Sequence, residues 1–130
     1  MRRFKFSKLV RDKIVQSIID AGNIPHWRTL TEDDYIQELK KKIGEEAKEI
    51  LYAQGDDLVK ELADVQEIIE NLLNVLKVSK EQLSEVQKMR NEKDGSFKNR
   101  QYVDEVEAKI DSEWIRYYLK SPEKYPEIKT

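Results

Sequence analysis

The sequence predicts an all-α fold, an antiparallel bundle of four to five helices completed by oligomerisation. Three observations carry this expectation. Apolar residues recur three and four apart along most of the chain, the signature of amphipathic helices. Helix start and stop signals bracket those stretches, with Gly22, Gly55 and Gly95 at the breaks. The connections are short, which makes consecutive helices antiparallel neighbours. A few amphipathic helices of this length leave apolar faces that a homodimer or homotetramer would bury.

Bulk properties narrow the function classes. The chain has 130 residues, one domain's length, with 24 Lys and Arg against 26 Asp and Glu. That near-neutral balance argues against a nucleic-acid polymer as partner, since such proteins carry a basic surplus. With no cysteine there is neither a disulfide framework nor thiol chemistry. The basic start Met1-Arg2-Arg3-Phe4-Lys5-Phe6 is followed by no apolar run, so neither a secretory signal nor a membrane span is expected. A cytoplasmic protein is the expectation.

The first helix is expected around Leu9/Val10, Ile14, Ile18 and Ala21, stopping with Gly22 one residue past its end. Residues 1–13 hold six cations against one anion, Asp12. Two readings stand open for them: ordinary surface charge pairing with the acidic helices, and a phosphate clamp of Lys8, Arg11 and Lys13 brought over the carboxylate site. Residues 24–30 form a connector compatible with a brief strand; His26 is expected as a loop residue, and Trp27 is expected to pack beneath the loop rather than stack on a base. Thr31 caps the second helix, which runs to about Ala53; Asp56 or Asp57 caps the third, which runs to about Lys77. Ser79-Lys80-Glu81-Gln82 is a capping box opening a fourth helix, with Leu83, Val86 and either Met89 or Arg90 turned inward and a stop near Asp94-Gly95. The spacing Val103, Val106, Ile110, Trp114, Tyr117 predicts a last amphipathic helix, followed by a loosely held polar tail from Ser121.

The functional signal lies in the second and third helices. Ile36, Leu39, Ile43, Ala47 and Ile50 make one apolar stripe, and Glu46 sits inside it. Glu49 lies on its border, whereas Glu45 points roughly opposite. In the next helix Glu61 is embedded among Leu58, Leu62, Val65, Ile68, Ile69, Leu72 and Leu76, with Asp64 on the edge and Asn71 below it on the same side. A carboxylate aimed at a core is costly unless a cation or a donor compensates it. Two helices that aim carboxylates at one interior therefore predict a shared metal site of Glu46, Glu49, Glu61 and Asp64. An all-oxygen donor set suits Mg²⁺ or Mn²⁺ rather than zinc.

These phrases together resemble the MazG-type all-α nucleotide pyrophosphohydrolases, and within them the small house-cleaning type that opens with a KLVRDKI phrase. Lys8-Leu9-Val10-Arg11-Asp12-Lys13-Ile14 matches that phrase in full. Glu45-Glu46-x-x-Glu49 resembles the family's first metal-binding helix, and Glu61-x-x-Asp64 its second. Lys93-x-Gly95-x-Phe97-x-x-Arg100 resembles its closing basic phrase. The resemblance implies a domain over residues 1–102, with residues 103–130 as a C-terminal helix and tail without a counterpart. The eleven residues between Glu49 and Glu61 put the interhelical gap at the short end of the family's range.

The resemblance implies Mg²⁺-dependent hydrolysis of a nucleoside triphosphate to monophosphate and pyrophosphate, as house-cleaning of non-standard nucleotides. Glu45 or Glu46 would orient or deprotonate the attacking water. Lys8, Arg11, Lys13, Lys93 and Arg100 would meet the phosphates, and Asn71 the sugar or the metal shell. The wording Lys42-x-Gly44-Glu45-Glu46 is also similar to phosphoribosyl-ATP pyrophosphohydrolase; the amino-terminal phrase and the absence of a His directly after Asp64 favour the first reading. The rival from another class is a non-enzymatic helical interaction module, with the carboxylates paired to lysines.

Overall fold

The computed structural model describes residues 1–129 and contains five helices: α1 (Ile14–Asp20), α2 (Glu32–Ile50), α3 (Gly55–Leu76), α4 (Lys80–Asp94) and α5 (Glu113–Leu119). No strand occurs among the described residues, so the connector at 24–30 is irregular. None of these helices is long and apolar enough to cross a membrane. The chain divides into two compact units, Met1–Lys93 and Asp94–Thr130.

In the first unit the helix ends follow local chemistry. Beyond α1, Gly22 adopts φ 82°, where a side chain is disfavoured, and the N–H groups of Gly22 and Asn23 reach back to the carbonyls of Ile19 and Ile18. Thr31 caps α2 as expected, its hydroxyl accepting from the Asp34 N–H at 3.3 Å. The α2 helix ends at Ile50, one turn short of Ala53. The cap of α3 is neither Asp56 nor Asp57. Gln54 precedes the helix without a side-chain hydrogen bond, and the two aspartates sit in the first turn, where their charge complements the helix dipole. Ser79 and Gln82 complete the capping box of α4: Ser79 N–H donates to Gln82 Oε1 at 2.7 Å, and Gln82 N–H to Ser79 Oγ at 3.0 Å.

The antiparallel pair α2 and α3 is the packed heart of this unit. Tyr35, early in α2, bonds Asn71, late in α3, while Glu46, late in α2, meets Glu61, early in α3. The apolar core is small: among the described residues only Leu39, Ile68 and Leu73 are buried. Contrary to expectation, Leu83, Val86 and Met89 of α4 do not turn inward but remain exposed. The α4 helix rests on its capping box and on a 2.7 Å ion pair from Lys80 to Glu70 of α3.

The second unit differs most from the reading of the sequence. Val103 and Val106 lie in irregular, exposed chain, and the helix starts only at Glu113, where Ser112 Oγ accepts from the Trp114 N–H at 3.2 Å. A periodic pattern with nothing to pack against does not sustain a helix, least of all one rich in β-branched residues. The tail is better held than expected. A turn at Ser121 returns the chain so that Tyr125 packs on Tyr117 and Tyr118, with ring centroids 5.7 and 5.2 Å apart. Trp114 joins this cluster edge-on to Tyr117 at 5.5 Å. A hydrogen bond with Tyr117 pushes the Tyr125 phenol above its ordinary pKa.

Candidate metal centre

The α2–α3 pairing brings three carboxylates together. One oxygen from each of Glu46, Glu61 and Asp64 lies within 4.8 Å of the others. All three residues are half-buried. The Oε2 atoms of Glu46 and Glu61 are shielded from solvent and have no hydrogen-bond partner, although each residue keeps other atoms in water. Orphaned, shielded carboxylate oxygens are disfavoured unless something compensates them. The oxygen-only donor set could hold a hard divalent cation, and its two unpartnered oxygens fit that role.

Glu49 stands beside this trio and is exposed. The opportunity to share a proton with Glu61, then the repulsion between the two charges, raises the Glu49 carboxyl above its ordinary pKa. The Glu61 carboxyl is likewise raised, chiefly because it can share a proton with Glu46. Carboxylates this close favour sharing a proton, and a bound cation removes the reason to do so.

The other sequence-predicted residues separate clearly. Arg11 comes to the cluster, its Nη2 donating to Asp64 Oδ1 at 2.7 Å. Lys8 is exposed and lies 5.9 Å from the Phe6 ring centre. Lys13 precedes α1, and its carbonyl accepts from the Ser17 hydroxyl. Glu45 is exposed and lies 3.9 Å from Lys42 on its own helix. Asn71 shares the α2-facing side of α3 but is engaged elsewhere: it accepts from the Tyr35 hydroxyl at 3.3 Å and donates to the Glu67 carbonyl at 2.8 Å. Burial, then the charges of Asp12 and Glu67, raises the Tyr35 phenol and keeps it a donor. Lys93 closes α4 in the first unit, and Arg100 belongs to the second, where it adopts φ 56°.

Two neighbours escaped the reading of the sequence. A hollow of about 400 Å³ opens at the α2–α3 turn, lined by Glu49, Tyr52, Ala53, Asp57, Lys60 and Glu61. The turn between the helices brings Tyr52 from the end of α2 and Lys60 from the start of α3 to one hollow, and residue periodicity carries no signal of that meeting. No protein-family model, curated protein or solved structure matches the chain.

Proposed function

We propose that the protein is a Mg²⁺-dependent nucleoside triphosphate pyrophosphohydrolase, cleaving between the α and β phosphates to give a monophosphate and pyrophosphate. The observation that carries this reading is the convergence of Glu46, Glu61 and Asp64 from two antiparallel helices, with two shielded oxygens left without partners. The amino-terminal Lys8–Ile14 phrase and the ordered acidic phrases, similar to the MazG-type enzymes, supply the substrate class.

In this reading Glu46, Glu61 and Asp64 hold the ion, with Glu49 completing the donor set. A divalent ion held there would supply charge neutralisation for the phosphates and Lewis-acid polarisation of the scissile bond. Water is the nucleophile, because no side chain around the cluster is an activated nucleophile. Glu46, rather than the outlying Glu45, takes the role of orienting or deprotonating that water. Arg11 already stands at the cluster and turns its guanidinium to the phosphates, where charge-assisted bonds hold the departing pyrophosphate. Lys8 and Lys13, on the same segment, add positive charge on the approach.

The test is pyrophosphate release across a broad panel of standard and modified nucleoside triphosphates, with Mg²⁺ or Mn²⁺. Activity on at least one member, abolished in Glu49→Ala and Glu61→Gln, is expected. Wild-type protein inert across the panel defeats the reading.

A further inference from the structure

The α2–α3 hairpin turns through Leu51, Tyr52, Ala53 and Gln54. Two backbone bonds shape that turn: the Tyr52 N–H donates to the Glu49 carbonyl at 3.1 Å and the Ala53 N–H to the Ile50 carbonyl at 3.2 Å. Gly55 then opens α3 at φ 55°, where a side chain is disfavoured. Tyr52 is left 87% exposed, so its ring takes no part in the core and stands beside the first turns of α3.

The hollow at this turn, about 400 Å³, lies within the roughly 300–1,000 Å³ of small-molecule sites. Glu61 belongs both to it and to the carboxylate centre. Asp57 and Lys60, three residues apart, share a face of α3 and line the same hollow. Among the described residues neither enters an ion pair, so a carboxylate and an ammonium are both open to a ligand. Lys60 is the sole cation on a lining that holds three carboxylates. From the turn, the order along α3 is Asp57, Lys60, Glu61 and Asp64, with Arg11 on Asp64. Asp57 and Asp64 stand about 10 Å apart along the helix axis, the scale on which an extended nucleotide separates its base from its outer phosphates. With Arg11 on the departing pyrophosphate, the base end points to the turn.

We propose that this hollow is a base subsite that selects guanine: Tyr52 stacks on the ring, Lys60 donates to O6, and the Asp57 carboxylate accepts from N1–H and the exocyclic amino group. The proposal rests on the nucleotide reading of the carboxylate centre. An ionised carboxylate offers only acceptors, and an ammonium only donors. The matching edge therefore carries an acceptor beside two adjacent donors. Among the common bases that edge is guanine's. Adenine and cytosine each have a single donor group on theirs, and uracil has one N–H between two carbonyls. The two carboxylate oxygens meet guanine's two donors in charge-assisted bonds. Stacking tolerates every base, so Tyr52 supplies affinity while Asp57 and Lys60 supply the choice.

Saturation-transfer NMR on the full chain in EDTA, with free guanosine, inosine and adenosine as probes, tests the subsite without metal or turnover. Guanosine should bind tightest, then inosine, which lacks the exocyclic amino group, then adenosine. Tyr52→Ala should weaken guanosine roughly 5- to 100-fold. Asp57→Asn should erase the margin of guanosine over inosine. Both positions are exposed, so both variants should fold, as circular dichroism checks. No saturation transfer in wild type, equal binding of the three nucleosides, or guanosine affinity untouched by Tyr52→Ala overturns the subsite. Turnover separates this outcome from the fate of the reading beneath it. Nucleotides cleaved with no preference for GTP over ATP, and with KM unmoved in Tyr52→Ala, overturn the subsite and leave the pyrophosphohydrolase standing. A chain inert across the nucleotide panel that still binds guanosine through Tyr52 and Asp57 keeps the subsite and overturns the enzyme.

Discussion

The Arg11 guanidinium meets the Asp64 carboxylate at 2.7 Å, joining groups 53 residues apart in sequence. The contact ties the amino-terminal segment to α3 and sets a cation on an oxygen-bearing member of the candidate metal centre. Both side chains keep much of their surface in water, 62% for Arg11 and 40% for Asp64, so the pair contributes only about 0–1 kcal/mol to stability. Its importance is positional.

From this follows a divergence between two affinities. Arg11→Ala should leave thermal stability within about 1 kcal/mol of wild type. It should leave Mg²⁺ binding unchanged or slightly tighter, because a competing cation has gone. Nucleotide turnover should fall, since a hydrogen bond between charged groups is worth about 1.5–3 kcal/mol, or roughly 10- to 100-fold in kcat/KM. Calorimetry with Mg²⁺ alone, set beside steady-state kinetics, separates the two. Parallel losses in both would show that Arg11 acts through the fold instead.

Divalent metal should stabilise the folded chain by mass action. At a free concentration 100-fold above Kd the gain is about 2.7 kcal/mol, a rise in Tm of roughly 10 °C or more for a unit of this size. Glu46→Gln and Glu61→Gln should each abolish most of that rise, since each removes one of the converging carboxylates. Differential scanning calorimetry with EDTA and with Mg²⁺ measures it. An unchanged melting curve for wild-type protein favours the helical interaction module.

The metal-free protein should also respond to pH in a particular direction. The folded-state pKa values of Glu49 and Glu61 are raised, so their contribution is fully present below the ordinary carboxylate pKa and is lost as pH rises through the raised values. The Glu70–Lys80 pair runs the other way. The Glu70 carboxyl is lowered by Lys80, so its contribution holds above the ordinary pKa and disappears only at lower pH. Wild type minus Glu61→Gln, followed by thermal melting in EDTA, isolates the cluster. The substitution should stabilise the apo protein at neutral pH and have little effect below the carboxylate range. A substitution that destabilises equally at every pH would contradict this.

Much of this architecture was legible because it is local. Ser79 and Gln82, Thr31 and Gly22 each act within four residues of themselves, and their bonds form as the sequence implies. Glu46, Glu61 and Asp64 were legible for a related reason: helical periodicity fixes a face, and a short connection turns two such faces together. Where partners were decided by tertiary proximity, the sequence was mute. Nothing in it singles out Asp64 as the partner of Arg11, turns Asn71 to Tyr35, or brings Tyr52 to the hollow beside Glu61. The last helix shows the opposite failure. Val103 and Val106 have helical spacing but no surface to pack on, whereas Ser112, a good cap, marks where the helix begins.

The chain's two indoles are shared out, Trp27 to the first unit and Trp114, within its tyrosine cluster, to the second. Each unit therefore carries its own intrinsic fluorophore. Replacing either tryptophan with phenylalanine leaves an emission signal that reports on one unit alone, so the melting of the hairpin and of the aromatic tail can be recorded separately without any added dye.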